Sequence, residues 1–283
     1  VKSEIGAGTR GASLGVDAIK IAALDFRSQF FKNNRAMVVP DDNAALYGEV
    51  GNRYAKRIKS VLKMYERIGA GVKEVLKDGK FPIVLSGDHS NAAGTIAGIR
   101  MAYPDSTVGV IWIDAHADLH TPFTTPSGNM HGMPLAVSLA EDNIENKVND
   151  LDYETIDLWE MLKNVGGIAP KVEYRDLLFM TLRDFEEQEA YLIKKNKVKV
   201  LSTTEIRKTG ITKICREAMK YLSHCDKIYI SFDVDCLDPS VSRGTGTPVK
   251  GGLNEREAAD IILDFVQNER VCCLEFTEVN PTL

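Results

Sequence analysis

The sequence has no apolar run that approaches the roughly 20 residues of a membrane span. It has no signal-like start either, and Val1 in place of methionine predicts a processed or missing N-terminus. Positive charge is not in excess, since the formal net charge is -5 and the pI is about 5.7. These features argue against a membrane protein and against a nucleic-acid-binding protein, which would need a basic face.

Cysteine is scarce and forms no recognisable pattern. The five cysteines include no C-x-x-C pair, and their odd number argues against a disulfide framework and favours a reducing, cytoplasmic compartment. Cys272 and Cys273 lie in an apolar, strand-like run and are interpreted as core thiols. Cys236 lies between aspartates but lacks a recognisable base that would make it a nucleophile.

No Pro/Ser-rich linker and no internal repeat divides the chain. Its composition, 44% hydrophobic and 27% charged, is ordinary for a soluble globular protein. A chain of 283 residues is also long enough to bury a substantial core. The sequence therefore predicts a single domain over residues 1–283.

Short apolar runs alternate with helical patterns along most of the chain, which is the signature of a parallel sheet. The predicted strands cover residues 81–85, 108–113, 177–182, 198–201, 227–232 and 271–276. The predicted helices cover residues 16–24, a long amphipathic stretch within 47–78, and 91–101, 154–163, 187 onward, 212–223 and 254–267. The acidic segment 141–175 is interpreted as surface structure. The glycine-rich segment 5–15 is interpreted as a loop leading into a helix, since no strand precedes it and no Gly-Lys-Ser/Thr follows.

The most informative segment runs from Val108 to Pro134. Its apolar strand ends abruptly in Asp114, His116 and Asp118, and residues two apart in an extended chain point to the same side. Two carboxylates and an imidazole crowded at the mouth of a buried strand repel one another unless a cation lies between them. Each residue alone could instead be a cap or turn residue, so the pattern becomes informative because it recurs.

Similar residues follow three other predicted strands. His89 follows the first strand, Asp233 and Asp235 the fifth, and Glu278 the last. Two histidines and four aspartates exceed what one ion needs, and carboxylates can bridge, so the pattern predicts a two-metal site. An oxygen-rich set without thiolate suits manganese more than structural zinc, with magnesium, iron and cobalt left open. Two divalent ions make hydroxide available near neutral pH, which indicates metal-assisted hydrolysis.

Six motifs carry a family resemblance over nearly the whole chain. They are SGDHS at 86–90, DAHADLHTP at 114–122, SGNMHGMP at 127–134, SFDVDCLDP at 231–239, GTGTPVKGGL at 244–253 and EVNP at 278–281. In their order and content they resemble the arginases of the ureohydrolase family. Agmatinases and other ureohydrolases share the metal motifs but usually lack the Ser-Gly-Asn-x-His-Gly loop, which is why the resemblance favours an arginase.

The resemblance implies a three-layer α/β/α sandwich around a mostly parallel sheet, an architecture shared with deacetylases, and a binuclear manganese centre. One Mn²⁺ ion would be held by His89, Asp114, Asp118 and Asp233. The other would be held by His116, Asp114, Asp233 and Asp235, so that Asp114 and Asp233 bridge the two ions.

The implied reaction is attack of a metal-bridging hydroxide on the guanidinium carbon of L-arginine, giving L-ornithine and urea. Asp118 would pass a proton to the departing amine, His131 would shuttle protons, and Glu278 would orient the guanidinium group. The implied substrate contacts come from two loops and one further threonine: His120, Thr125, Ser127, Asn129, Asp184, Glu186 and Thr247.

Two of these positions depart from the family pattern. His120 replaces the usual asparagine and Glu186 the usual aspartate, which bears on substrate affinity and chain-length preference. The simpler interpretations are that His120 packs within its loop and that Glu186 is solvated.

Several alternatives follow from the same motifs. The chain could act as another ureohydrolase on agmatine, guanidinobutyrate or formiminoglutamate, or it could be a catalytically silent relative. A deacetylase-like enzyme would need a single zinc and different loops. The resemblance also implies a homo-oligomer, commonly a trimer or hexamer, and a family helix beyond the position of Leu283.

Overall fold

A computed structural model describes all 283 residues and contains six strands in one sheet. The strands are β1 (Ile83–Leu85), β2 (Val108–Ile113), β3 (Leu177–Met180), β4 (Lys199–Leu201), β5 (Lys227–Asp233) and β6 (Val271–Thr277). They pair in the order β1-β6-β5-β2-β3-β4, and every pair is parallel. All six strands lie where the sequence predicted them, which confirms the parallel sheet.

Ten helices surround the sheet. They are α1 (Gly15–Asp25), α2 (Phe30–Asn33), α3 (Ile58–Lys77), α4 (Ala92–Ala102), α5 (Pro134–Leu139), α6 (Tyr153–Lys163), α7 (Glu187–Lys195), α8 (Thr203–Thr209), α9 (Ile211–Tyr221) and α10 (Glu255–Phe265). The seven helices predicted from the sequence are present. None of the ten has the length and apolar character that crossing a membrane requires.

The strands bury both faces because their side chains alternate between two hydrophobic cores. Val110 and Trp112 of β2 pack in the larger core with α3, α4, α5 and α6. Ile111 and Ile113 of the same strand pack in the second core with α8, α9 and α10. Helices therefore cover both faces of the sheet, and the predicted three-layer α/β/α sandwich is confirmed.

The interpretation of segment 141–175 as surface structure is wrong for one face of α6. Trp159 and Leu162 are fully buried in the larger core, and the Trp159 indole nitrogen donates to Asp142 at 2.8 Å. The acidic residues that favoured a surface segment lie on the opposite, exposed face of the helix. A narrow apolar stripe within an acidic sequence was enough to anchor the helix.

All five cysteines are buried free thiols, and Cys272 and Cys273 lie within β6 as predicted. Burial raises the pKa of the Cys236 thiol well above its usual value, and the nearby aspartates add to that shift. A buried thiol held in its protonated form is a poor nucleophile, which agrees with the structural interpretation of this residue.

Candidate metal centre and substrate pocket

The strands β1, β6, β5 and β2 are consecutive in the sheet, and their carboxyl ends meet at one edge. Each of these strands leads into one part of the predicted site. The structure brings together the six predicted ligands and Glu278 at this edge, where open parallel sheets commonly bind their ligands.

One group of donors surrounds His89. Its Nδ1 atom lies 3.0 Å from Asp114 Oδ2, 3.0 Å from Asp118 Oδ2 and 3.1 Å from Asp233 Oδ2. All four side chains are buried. Three carboxylate oxygens therefore converge on one imidazole nitrogen.

A second group lies beside the first. The Nδ1 atom of His116 is 2.9 Å from Asp235 Oδ2 and 3.5 Å from Asp114 Oδ1. Asp114 thus offers one oxygen to each group, which is the arrangement a bridging carboxylate needs.

Backbone amides orient these carboxylates. Asp114 Oδ1 accepts from the amide of His116 at 2.7 Å, and Asp233 Oδ1 accepts from the amide of Asp235 at 2.8 Å. Asp118 has a left-handed backbone with φ of 50°, which is uncommon outside glycine and is often retained at functional sites. The local Asp-x-His and Asp-x-Asp turns therefore fix which oxygens face the centre.

Two contacts fix the His89 ring. It stacks on Trp112 with 4.1 Å between centroids, and its Nε2 atom lies 2.7 Å from Ser231 Oγ. A proton on Nε2 that is donated to Ser231 leaves a lone pair on Nδ1, which faces the carboxylates. Metal-bound histidines are commonly oriented by a hydrogen bond of this kind.

The electrostatics of the cluster are unfavourable without a compensating positive charge. Burial, together with the charges of Asp235 and Asp114, raises the pKa of Asp233 well above its usual value. Burial and Asp114 likewise raise the pKa of Asp235 to about 6. Burial opposes protonation of His116, but its contacts with Asp114 and Asp235 prevail and raise its pKa to about 12. Either protons or cations must balance these buried carboxylates.

The donor set fits a divalent cation. His89 Nδ1, Asp114 Oδ2 and Asp118 Oδ2 are buried atoms that lack a hydrogen-bond partner, and they face one another across about 3 Å. Oxygen and imidazole donors with no thiolate are typical of sites for hard or intermediate divalent ions. The cluster can therefore hold metal, in agreement with the sequence prediction.

Glu278 and His131 form a pair beside the metal centre. Glu278 Oε1 lies 3.3 Å from His131 Nδ1 and accepts from the backbone amide of His89 at 2.9 Å. Burial opposes protonation of His131, but the hydrogen bond with Glu278 and nearby carboxylates raise its pKa to about 9. The amide of His131 donates to Gly6 at 3.1 Å, so the glycine-rich segment 5–15 packs against the site. That contact was not foreseen from the sequence.

The two residues that depart from the family pattern contact each other. His120 Nε2 lies 3.0 Å from Glu186 Oε2, and its Nδ1 lies 3.1 Å from Thr124 Oγ1. The hydrogen bond with His120 lowers the pKa of Glu186 to about 2. Glu189 was missed in the sequence, yet it is buried and accepts from the amides of Leu119 and Glu186, both at 3.0 Å. The Glu-x-x-Glu spacing, which here forms a capping box, was the available signal.

The 125–129 loop is held by the Thr125 side chain and by contacts with distant segments. Thr125 Oγ1 accepts from the amides of Ser127 at 3.3 Å and of Gly128 at 2.9 Å. Asn129 Oδ1 accepts from the Lys56 ammonium at 2.9 Å, a contact between distant segments that the sequence did not reveal. The Ser127 side chain is exposed.

Two further predicted residues lie next to the second donor group. Thr247 Oγ1 donates to Asp235 Oδ2 at 3.3 Å, and Asp184 Oδ2 lies 3.7 Å from His116 Nε2. Arg183 was not predicted, but its guanidinium donates to the carbonyls of Asp235 at 2.6 Å and Val249 at 2.8 Å. It therefore ties the loop that carries Thr247 to the segment that carries Asp235.

A model of the arginase family matches residues 1–283. The chain belongs to the arginase family. An arginase of Bacillus subtilis (strain 168) is 38% identical over 283 residues, covering 99% of this chain and 88% of that protein. The solved structure of the arginase from Bacillus caldovelox has a TM-score of 0.82 and 33% identity, covering 100% of this chain and 89% of that one. Formimidoylglutamase from Bacillus subtilis, at 22% identity and a TM-score of 0.72, shares the fold.

The predicted membership in the arginase family, and with it the prediction of an enzyme, is confirmed. The fold prediction is confirmed by the same comparisons. The individual roles given to ligands, substrate contacts and proton carriers stay predictions, now supported by the geometry described above.

Proposed function

We propose that this chain hydrolyses the guanidinium group of L-arginine to give L-ornithine and urea. The observation that carries the proposal is the pair of His/Asp groups that share Asp114 at the carboxyl edge of the sheet, all of them buried except the half-buried His116. Arginase-family membership over the whole chain supports the reaction class, and the arginases among its relatives support arginine as the substrate.

The proposed cofactor is a pair of Mn²⁺ ions. One would be held by His89, Asp114, Asp118 and Asp233. The other would be held by His116, Asp114, Asp233 and Asp235. Two bound divalent ions would supply a hydroxide nucleophile near neutral pH by lowering the pKa of water.

The pair formed by Glu278 and His131 orients the reacting group and moves protons. The buried Glu278 carboxylate accepts charge-assisted hydrogen bonds from the substrate guanidinium and fixes its plane. His131 has a side chain that is 24% exposed, so it can exchange protons between solvent and the pocket. Asp118, buried in the centre, passes a proton to the departing amine of ornithine.

Recognition of the amino-acid end is assigned to the pocket rim. The α-carboxylate is received, directly or through water, by Thr125, Ser127 and Asn129, and the Lys56 ammonium adds positive charge behind Asn129.

The exposed carboxylates of Asp184 and Glu186 attract the α-ammonium group. His120 positions Glu186 through their 3.0 Å contact, and Thr247 supports the metal ligand Asp235.

The remaining expectations concern partners, assembly and location. L-arginine is the proposed small-molecule partner, and a homo-oligomer, either a trimer or a hexamer, stays a prediction. A cytoplasmic location is supported by the five free, buried thiols.

Side-by-side turnover of arginine and its analogues tests the substrate. The manganese-loaded chain is expected to release urea from L-arginine with a kcat/KM at least about 100-fold above that for agmatine, because agmatine leaves the carboxylate-binding groups unpaired. Preference for agmatine, guanidinobutyrate or formiminoglutamate would reassign the chain within the family. Absence of turnover with all four would identify a catalytically silent relative.

A further inference from the structure

Three potential metal ligands meet at the edge of the sheet opposite the candidate metal centre. Asp176 directly precedes β3, and His224 and Cys225 lie shortly before β5, which begins at Lys227. These two strands flank β2, so their amino ends are close together. β5 spans six steps of about 3.3 Å, so the group lies at least roughly 20 Å from Asp233 at the other end of the strand.

The three ligand atoms lie within 4.8 Å of one another. Asp176 Oδ1 is 2.7 Å from His224 Nε2 and 3.8 Å from Cys225 Sγ. Ligand atoms around a tetrahedral zinc, at bond lengths of about 2.0–2.3 Å, are separated by roughly 3.3–3.7 Å. An increase in the Asp176–His224 distance, together with a small adjustment of Cys225, would bring the three atoms to these separations.

The surrounding structure holds the group in position and leaves one side open. Asp176 and Cys225 are buried, whereas the His224 side chain is 42% exposed and gives an ion access from solvent. The Arg270 guanidinium donates to the carbonyl of Cys225 at 3.2 Å and anchors its backbone. Gly109 of β2 leaves room for the thiol, because a Cβ atom there would lie 3.0 Å from Cys225 Sγ.

The charges around the group suit a divalent ion bound with two anionic ligands. Arg175 Nε lies 3.8 Å from Asp176 Oδ1, and Arg100 also interacts with Asp176. Arg270 and Asp226 lie close to Cys225. A zinc ion with one thiolate and one carboxylate carries no net charge, so these arginines do not oppose it. Burial and Asp176 raise the pKa of the Cys225 thiol to about 12 in the absence of an ion, and a bound ion would reverse that preference.

We propose that Asp176, His224 and Cys225 form a zinc site separate from the catalytic centre. On binding, the Cys225 S–H bond breaks, its proton passes to solvent, and the sulfur bonds to Zn²⁺. The His224 Nε2 proton, which faces Asp176 in the metal-free group, moves through solvent to Nδ1, so that the neutral ring offers its Nε2 lone pair. The Asp176 carboxylate supplies an oxygen, and a water completes four ligands. The ion would connect the segments that lead into β3 and β5.

Cobalt titration of the manganese-loaded full chain tests the site, because a cobalt–thiolate bond gives a charge-transfer absorption that oxygen and imidazole ligands do not. The titration is expected to saturate at one sulfur-bound cobalt per chain, and added zinc should displace it. Cys225→Ser should abolish the absorption and His224→Ala should weaken cobalt binding at least tenfold. Cys215→Ala, which removes a buried thiol of α9, is the control and should leave the absorption unchanged.

Each possible result of the cobalt titration either supports or overturns the proposed zinc site. No sulfur absorption in the wild-type chain, absorption that persists in Cys225→Ser, or unchanged affinity in His224→Ala would overturn the site and leave a metal-free Asp176–His224 pair. His224 is partly exposed, so its variant is expected to fold even if Cys225→Ser does not, and circular dichroism checks both. The absorption reports a cysteine ligand, which the catalytic centre lacks, so the result is independent of urea release.

Discussion

The hydroxyl of Ser231 determines how His89 is presented to the carboxylates. It lies on β5, whereas His89 follows β1, and the two are joined only by the 2.7 Å contact to Nε2. Stacking on Trp112 fixes the plane of the His89 ring. It does not determine which ring nitrogen faces the carboxylates, because either face of the imidazole can stack on the indole. The hydrogen bond is therefore the contact that selects Nδ1 as the ligand atom.

Ser231→Ala should weaken manganese binding by about 10- to 100-fold, because the ring loses the partner that fixes its orientation. Direct titration of the metal-free chain with manganese measures this change. Ser86→Ala is the matched control, since Ser86 is also buried but its hydroxyl has no hydrogen-bond partner. Equal affinities of the two variants would contradict the proposed role of Ser231.

Lys171 provides a test of pH dependence away from the metal centre. It is buried, its ammonium donates to the carbonyl of Lys163 at 2.6 Å, and burial lowers its pKa from 10.5 to about 8. Between these values the unfolded chain binds more protons than the folded chain. The contribution of Lys171 to the free energy of unfolding therefore rises as the pH increases from about 8 to about 10.5.

The difference in unfolding free energy between the wild type and Lys171→Met should change by about 2–3 kcal/mol across that window, in favour of the wild type at high pH. Denaturant unfolding at a series of pH values measures it. The same substitution at the exposed Lys208 controls for general effects of alkaline pH. A Lys171→Met difference that stays flat with pH would show that burial does not perturb this amine.

At the scale of elements, the close packing of α3 against α4 depends on glycines. A Cβ atom at Gly98 of α4 would lie 2.7 Å from the carbonyl oxygen of Gly69 and 2.7 Å from the Cβ atom of Val72, both in α3. Neither atom can move without shifting a helix. The first turn of α4 follows directly from His89, so this contact also supports a metal ligand.

Gly98→Ala should destabilise the chain by up to about 2 kcal/mol, because overpacking costs about 1–3 kcal/mol and the helix-propensity gain of alanine offsets about 1 kcal/mol of it. Gly71→Ala in α3 should be neutral or stabilising, since its nearest neighbour would be the flexible Met37 thioether at 3.2 Å. Thermal unfolding compares the two. Shifts in the same direction would contradict this account of the packing.

Element length explains what the sequence could predict of the fold. The strand Val108–Ile113 and the helix Ile58–Lys77 were predicted because several periods of their apolar pattern are visible. The short helices α2, α5 and α8 were not predicted, since four to seven residues show less than two turns of any pattern. The sequence did not indicate the buried face of α6, because only two large apolar side chains, Trp159 and Leu162, form it.

At the scale of the whole molecule, the topology explains which parts of the site were predictable. The metal ligands follow strands directly in the sequence, so an apolar run followed by Asp or His indicates each of them. The order of the strands in the sheet then brings these ligands together. Lys56 and the segment around Gly6 reach the pocket without a motif that indicates this, and Glu189 is marked only by a Glu-x-x-Glu capping spacing. Their positions depend on long-range packing, which a local pattern does not encode.

The most direct test of the central claim is urea release from L-arginine by one preparation, assayed first with manganese, then after chelation, then after manganese is restored. The two His/Asp groups that share Asp114 predict strong release, its loss on chelation and its recovery on reloading. Urea release that is unchanged by chelation, or no release in the manganese-loaded state, would contradict the claim that this cluster is a catalytic metal centre.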